Sequence, residues 1–244
     1  MNAWTPRRFL SHVDVVENMD GWTVVLDHHV ATTPAKSALN LPTRQLADAI
    51  AREWAVQGEV FSINTMPLTK LANAAIDKVS VHKCEVSDTI VAYGDSDLLC
   101  YRADGPVGLI GRQSEQWDPV LNQAARELDA QLAVHYGVMH VPQSKVILGK
   151  LETQVKTFDS FGLIALYELV TLTGSLVLGL AAIRDWRDPD VIWQLSRVDE
   201  TWQEEQWGRD EEAHYLAACK RDAFCRAKQF YDLAQGISCD QLER

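Results

Sequence analysis

The period of the hydrophobic pattern changes along the chain. His12 to Glu17 and Trp22 to Leu26 are runs rich in β-branched and aromatic residues, separated by Asn18, Met19, Asp20 and Gly21. An Asp-Gly pair between two such runs predicts a β-hairpin. Asp27 and His28 predict a second turn into His29 to Thr32, which makes a small antiparallel meander; Thr33, Pro34 and Ala35 interrupt it, and Leu39 to Leu41 is expected to return as an edge strand. So small a sheet needs a helix over one face. That helix is expected after Pro42, with Thr43 as its N-cap and with Leu46, Ile50 and Trp54 on one stripe. Residues 1–62 therefore read as a small sheet-plus-helix domain.

After Asn64 the period is helical throughout, and residues 63–244 read as a larger helical domain. Pro67 suits a first helical turn, and Leu68, Leu71, Ala72, Ala75, Ile76 and Val79 follow the spacing of one buried face. Further helices are expected over Lys83 to Tyr93, from a cap at Asp118 with Pro119 in first position, and over Gln143 to Lys156. Others are expected over Asp159 to Val170, Ser175 to Arg184, Pro189 to Trp207 and Asp210 to Leu233. Leu98 to Arg102 is a short apolar run whose type the pattern leaves open.

The stretch from Val191 to Gly208 stands apart. Taken as one helix, it aligns Val191, Leu195, Val198 and Trp202 as a core stripe. Its opposite side carries Trp193, Glu200 and Trp207 at a spacing of seven, with Arg197 and Glu204 beside them. A carboxylate between two indoles is either packed against a second layer or kept for a partner, since Trp and charged anchors dominate interface centres. Spacing alone leaves both open.

Composition narrows the function. With 244 residues, 47% of them hydrophobic, the chain can bury a core for one large or two smaller domains. Its 34 acidic against 23 basic residues and net charge of −11 argue against a general nucleic-acid or anionic-membrane surface. Five cysteines, odd in number and without framework spacing, suggest free thiols in a reducing compartment. Phe161 to Ile183 is long enough to span a bilayer. Glu168 within it, and Thr171, Thr173, Gly174 and Ser175 breaking its centre, argue for two buried helices and against stable membrane insertion. The opening MNAWTPRRFL has neither a secretory signal nor an organelle presequence, so the expected location is the bacterial cytoplasm, or the mitochondrial matrix for a trimmed eukaryotic protein.

Motif chemistry is sparse. There is no GxGxxG or GxxxxGK[ST], and GPVGLIG at Gly105 to Gly111 precedes no Lys-Ser or Lys-Thr pair. His82 with Cys84, His28 with His29, and Cys219 with Cys225 lack metal-ligand spacing, and no GxSxG elbow occurs. No catalytic, cofactor or metal residue is assigned. Ser175 and Gly179, four apart, would let two backbones approach closely. Asn73 and Asp77 share a helix face and are suited to bridging elements or touching a partner.

Six blocks in order resemble one family. They are LDHHVATTPAKSALNLPT (Leu26 to Thr43), AIAREW (Ala49 to Trp54), MPLTKLANAAIDKV (Met66 to Val79), DLLCYRA (Asp97 to Ala103), QWDPVL (Gln116 to Leu121) and SRVDETWQEEQWG (Ser196 to Gly208). Together they are similar to the Atp-twelve family, assembly chaperones that attend the alpha subunit of the F-type ATP synthase catalytic sector. His28 and His29 depart from that pattern, which often has a basic residue in this turn.

The resemblance implies an α+β fold, a small N-terminal sheet-plus-helix domain followed by a larger all-helical orthogonal bundle. It implies a cofactor-free, monomeric chaperone, not an enzyme, that holds the unassembled alpha subunit until the beta subunit covers the same surface. Such a subunit exposes apolar interface when alone and aggregates unless covered. The partner-binding role falls on Asp199, Glu200, Trp202, Gln203 and Trp207, with Arg197 beside them and Glu200 as first choice. Two alternatives stand: a small-molecule enzyme with its site in a cleft between the domains, and a structural subunit of the finished synthase.

Overall fold

The computed structural model describes residues 12–58 and 62–237. The N-terminal segment read above for targeting signals, and Cys239, lie outside the described residues. The fold is α+β, and the chain divides into two compact units.

Among the described residues, the first unit runs to Lys83 and also contains residues 160–165 and 229–237. Strands β1 (Val13–Asn18) and β2 (Gly21–Leu26) form the expected hairpin, with Val13 opposite Leu26 and Asn18 opposite Gly21. β3 (His29–Val30) pairs with β2 through a turn in which Asp27 and His28 have φ of 44° and 72°. Two positive φ values in a two-residue turn match the twist of the flanking strands, so the His28 position is conformational. The expected edge strand is reduced to one bridge, in which Leu41 exchanges backbone hydrogen bonds with Trp22 at 2.9 and 2.7 Å. That approach depends on Gly21, where a β-carbon would lie 2.4 Å from the Leu41 carbonyl oxygen.

Helix α1 (Arg44–Ala55) starts at Thr43, whose hydroxyl oxygen accepts from the Leu46 amide. Leu46, Ala47 and Ile50 are buried, whereas Trp54 is half-buried. α2 (Pro67–Ala74) continues into a wider π-helical turn, Ala75–Val79, and buries Leu68, Leu71, Ala72, Ala75 and Val79 of the predicted stripe, with Ile76 half-buried. The Glu53 carboxylate receives the amides of Leu68 and Thr69, both at 2.8 Å, and the Thr69 hydroxyl at 2.7 Å. These are N-terminal donors of α2 that have no partner within the helix, and a carboxylate there also faces the positive end of the helix dipole. Asp77 proves to be a bridging residue, accepting from the Thr33 hydroxyl at 2.6 Å and the Ala35 amide at 3.1 Å.

The second unit holds residues 84–159 and 166–228. Its first elements are α3, Lys83–Asp95, of which Lys83 falls in the first unit, a 3-10 turn (Leu98–Cys100) and β4 (Tyr101–Arg102). Next come α4 (Val107–Glu127), β5 (His135–Tyr136) and α5 (Lys145–Lys156). α6 (Ser160–Thr173), α7 (Leu176–Ile183), α8 (Pro189–Leu195), α9 (Val198–Trp207) and α10 (Glu211–Ala234) complete the order, with residues 160–165 of α6 and 229–234 of α10 belonging to the first unit. The expected all-helical part thus includes one exception, since β4 and β5 pair in parallel.

The apolar run from Phe161 to Ile183 is two helices, as its polar centre predicts. Gly174 turns the chain with φ of +70°, and Ser175 caps α7 by accepting from the Leu178 amide. Among the described residues no helix is long and apolar enough to cross a membrane. Gly179 lets the two helices close, since a β-carbon there would lie 2.5 Å from Cγ2 of Val170. Asp97, fully buried, accepts from Leu99 N, Ser175 Oγ and Val177 N at 3.0, 2.7 and 3.0 Å and so caps two elements at once.

One expected helix start is corrected. Asp118 and Pro119 lie inside α4, which begins at Val107. An interior proline costs a helix about 3 kcal/mol, and tertiary contacts on the same turn offset this. Trp117 is buried and its indole N–H donates to the Leu195 carbonyl at 2.8 Å. The buried Arg102 guanidinium lies 5.0 Å from the Trp117 ring and pairs with Asp118 at 2.7 Å. Asp118 therefore anchors an arginine in place of capping a helix.

Candidate partner-binding site

The stretch from Pro189 to Trp207 is two helices, not one. Ser196 turns its hydroxyl back to the Trp193 carbonyl at 2.7 Å, a local bond that competes with helix continuation. Arg197 then leaves the helical region with φ −117° and ψ 16° before α9 begins. The break changes which face is buried, so the single line of Trp193, Glu200 and Trp207 does not exist.

Trp193 is core, 6% exposed and 6.0 Å from the Phe224 ring. Trp207 is 79% exposed, and Val191, expected in the core stripe, is 41% exposed. Leu195 and Val198 are buried as that stripe requires, and Trp202 is half-buried. The question of packed or offered indoles has a divided answer: Trp193 is packed and Trp207 is offered.

The six residues assigned to partner binding separate onto two sides of α9. Arg197, Glu200, Gln203 and Trp207 line a groove of about 410 Å³, together with residues of the first turns of α10. Gly208, with φ of +91°, ends α9, and Asp210 opens α10 by accepting from the amides of Glu212 and Ala213 at 2.9 and 3.1 Å. The groove has apolar walls in Trp207, Ala213 and Leu216 and a charged rim of Glu200, Glu204 and Asp210 against Arg197 and Lys220. Three carboxylates face two cations. Arg197 Nη1 is 2.9 Å from Glu200, and Nη2 is 3.9 Å from Glu204, so Arg197 orients both acids along one face.

Asp199 and Trp202 face α4. Asp199 accepts from the Gln113 amide at 2.7 Å, and Gln113 in turn accepts from the Ala103 backbone at 2.9 Å. Arg112 lies 5.0 Å from the Trp202 ring and forks onto Glu205 with two bonds of 2.8 Å. The same fork holds the Glu205 carboxyl below its usual range, as an opposite charge in hydrogen-bond contact does. These residues dock and orient α9. Sequence reasoning missed this layer: Gly108 lies in the stretch Gly105 to Gly111 weighed above only as a phosphate loop, and Arg112 and Gln113, which follow it, carried no signal in their spacing.

The arrangement provides a recess with an exposed indole, a polar rim and a rigid mount. Several comparisons give this a family. A family model described as ATP12 chaperone protein matches residues 7–125. Atp12 from Paracoccus denitrificans has a solved structure with a TM-score of 0.91 and 47% identity, covering 94% of this chain and 98% of that one. A mutant of that protein, carrying lysine for an aspartate, matches with the same values. A protein of Agrobacterium tumefaciens matches with a TM-score of 0.88 and 36% identity, over 96% of this chain and 87% of that one. The class defined by this fold is a chaperone. The chain belongs to the ATP12 chaperone family, as the six sequence blocks suggested.

Proposed function

We propose that this protein is an assembly chaperone of the F-type ATP synthase that binds the unassembled alpha subunit and prevents its aggregation, without chemistry of its own. Family membership supports the chaperone role. The observation that carries the binding site is Trp207, which stands in solvent at the rim of the groove beside Glu200. A large indole left exposed on a rigid helix costs solubility and adds nothing to the core, so its position is explained by a partner that covers it. Glu200 and Glu204, aligned by Arg197, supply the polar rim that fixes orientation.

The client is the subunit's ring interface, apolar and exposed until assembly. Covering it lowers the population available to aggregate by mass action. Release requires moderate affinity, which suits a shallow groove of this size. The site of action is where the catalytic sector is assembled, the bacterial cytoplasm or the mitochondrial matrix. Production of the alpha subunit alone and together with this protein tests the reading. Soluble alpha is expected to rise on co-production, and an unchanged soluble fraction contradicts it.

A further inference from the structure

We propose that the loop from Ala133 to Gln143 is a second docking element, which seats its tip, Val138 and Met139, in an apolar recess of the same client. The inference rests on the chaperone reading above. Val138 is 97% exposed and Met139 78%, and the neighbouring Tyr136 and Val141 are exposed as well.

The loop is tied at several points. The Gln143 side chain closes its neck: its Oε1 accepts from the Ala133 amide and its Nε2 donates to the Ala133 carbonyl, both at 2.8 Å. The Gln143 amide donates to Asp95 Oδ1 at 2.7 Å. On the descending side, His140 Nδ1 is 2.7 Å from the Tyr101 hydroxyl, and its Nε2 is 3.4 Å from Asp95 Oδ2. On the ascending side, β5 pairs with β4, and the Gly137 amide donates to the Arg102 carbonyl at 2.9 Å. Gly137, with φ of +85°, makes the bend that turns the tip outward. An apolar tip on an ordered frame loses little conformational entropy on binding. Methionine at such a tip also adapts to an irregular recess.

Charge and area select the occupant. In a chain of net charge −11 the tip presents apolar surface with acidic neighbours, Asp104, whose Oδ2 lies 3.9 Å from where a Gly137 β-carbon would stand, and Asp95 against His140. An anionic bilayer is repelled by the protein as a whole, and a two-residue tip is small for anchoring to lipid. Tip-to-tip contact between two copies would bury far less than the roughly 800 Å² per partner of a stable interface. An apolar recess on a client also held at another surface needs neither, and an unassembled ring subunit exposes such a recess.

The full-length protein and its V138S/M139S variant, titrated with purified alpha subunit, test the proposal. The melting temperature is expected to stay unchanged, and the dissociation constant to rise about tenfold or more. Unchanged affinity in the variant, with wild type binding alpha, overturns the docking loop and leaves the chaperone reading standing. Failure of the wild type to bind alpha overturns both. Wild-type co-sedimentation with phosphatidylcholine vesicles that the variant loses, or a tip-dependent dimer in gel filtration, overturns the client assignment.

Discussion

The indole of Trp202 occupies the space that a side chain would need at Gly108, where an added β-carbon would lie 2.7 Å from Cη2 of the ring. The glycine is thus a notch in α4 that seats α9, with Arg112 lying over the same ring. Gly108→Ala is expected to destabilise the protein by about 1–3 kcal/mol, because a rigid ring must shift and its arginine with it. The better helix propensity of alanine offsets at most about 1 kcal/mol of this. Urea unfolding measures the difference, and a variant as stable as wild type would show that the ring moves freely.

Two tryptophans fourteen residues apart in sequence are expected to behave oppositely. Trp193→Ala removes a core side chain beside Phe224 and should cost about 3–5 kcal/mol. Trp207→Ala removes an exposed one and should change stability by roughly 0.5 kcal/mol or less. Thermal melts of the two variants side by side check this. Equal losses would contradict the break at Ser196 and Arg197.

Burial raises the Asp97 carboxyl to about 6, against partial opposition from its bonds to Val177, Ser175 and Leu99. A folded-state value above the unfolded one, near 3.8, means that the native state holds this proton more tightly. Its contribution to stability is present below about pH 4 and is lost as pH rises through about 6. The loss is on the order of 2–3 kcal/mol. An NMR titration of the Asp97 carboxyl should show a midpoint near 6, and the stability gap between wild type and Asp97→Asn should narrow as pH rises from 4 to 6. A gap that stays constant over this window would contradict the account.

The periodic elements were legible in the sequence because their signals are local. The Asp-Gly hairpin, the Thr43 cap, the polar break at Gly174 and Ser175 and the buried stripe from Leu68 to Val79 each depend on a few neighbouring residues. What was not legible depends on residues distant in sequence. Pro119 reads as a helix start until Trp117 is seen bonded to Leu195. The stretch from Val191 to Trp207 reads as one helix because its apolar spacing is regular, and the two-residue break at Ser196 and Arg197 follows from the Ser196 hydroxyl, which any periodicity ignores. Of the candidate site, spacing singled out the segment and set Glu200 between two indoles, while its partner-binding role came from resemblance to a family; its division into a groove side and a docking side required the positions of α4 and α10. The Glu53 cap on α2 joins residues fifteen and sixteen apart, beyond the reach of a capping pattern.

Glu200 carries the central claim. Its carboxylate is partly exposed and paired only with Arg197 among its ion pairs in the described residues, so its loss should cost no more than about 1 kcal/mol of stability. The direct test is the affinity of Glu200→Lys for purified alpha subunit, measured by titration alongside the thermal melts of variant and wild type. The account predicts at least about tenfold weaker binding with an unchanged melting temperature. Binding as tight as wild type, or a loss of binding explained by an unfolded variant, would contradict the placement of the partner site at this groove.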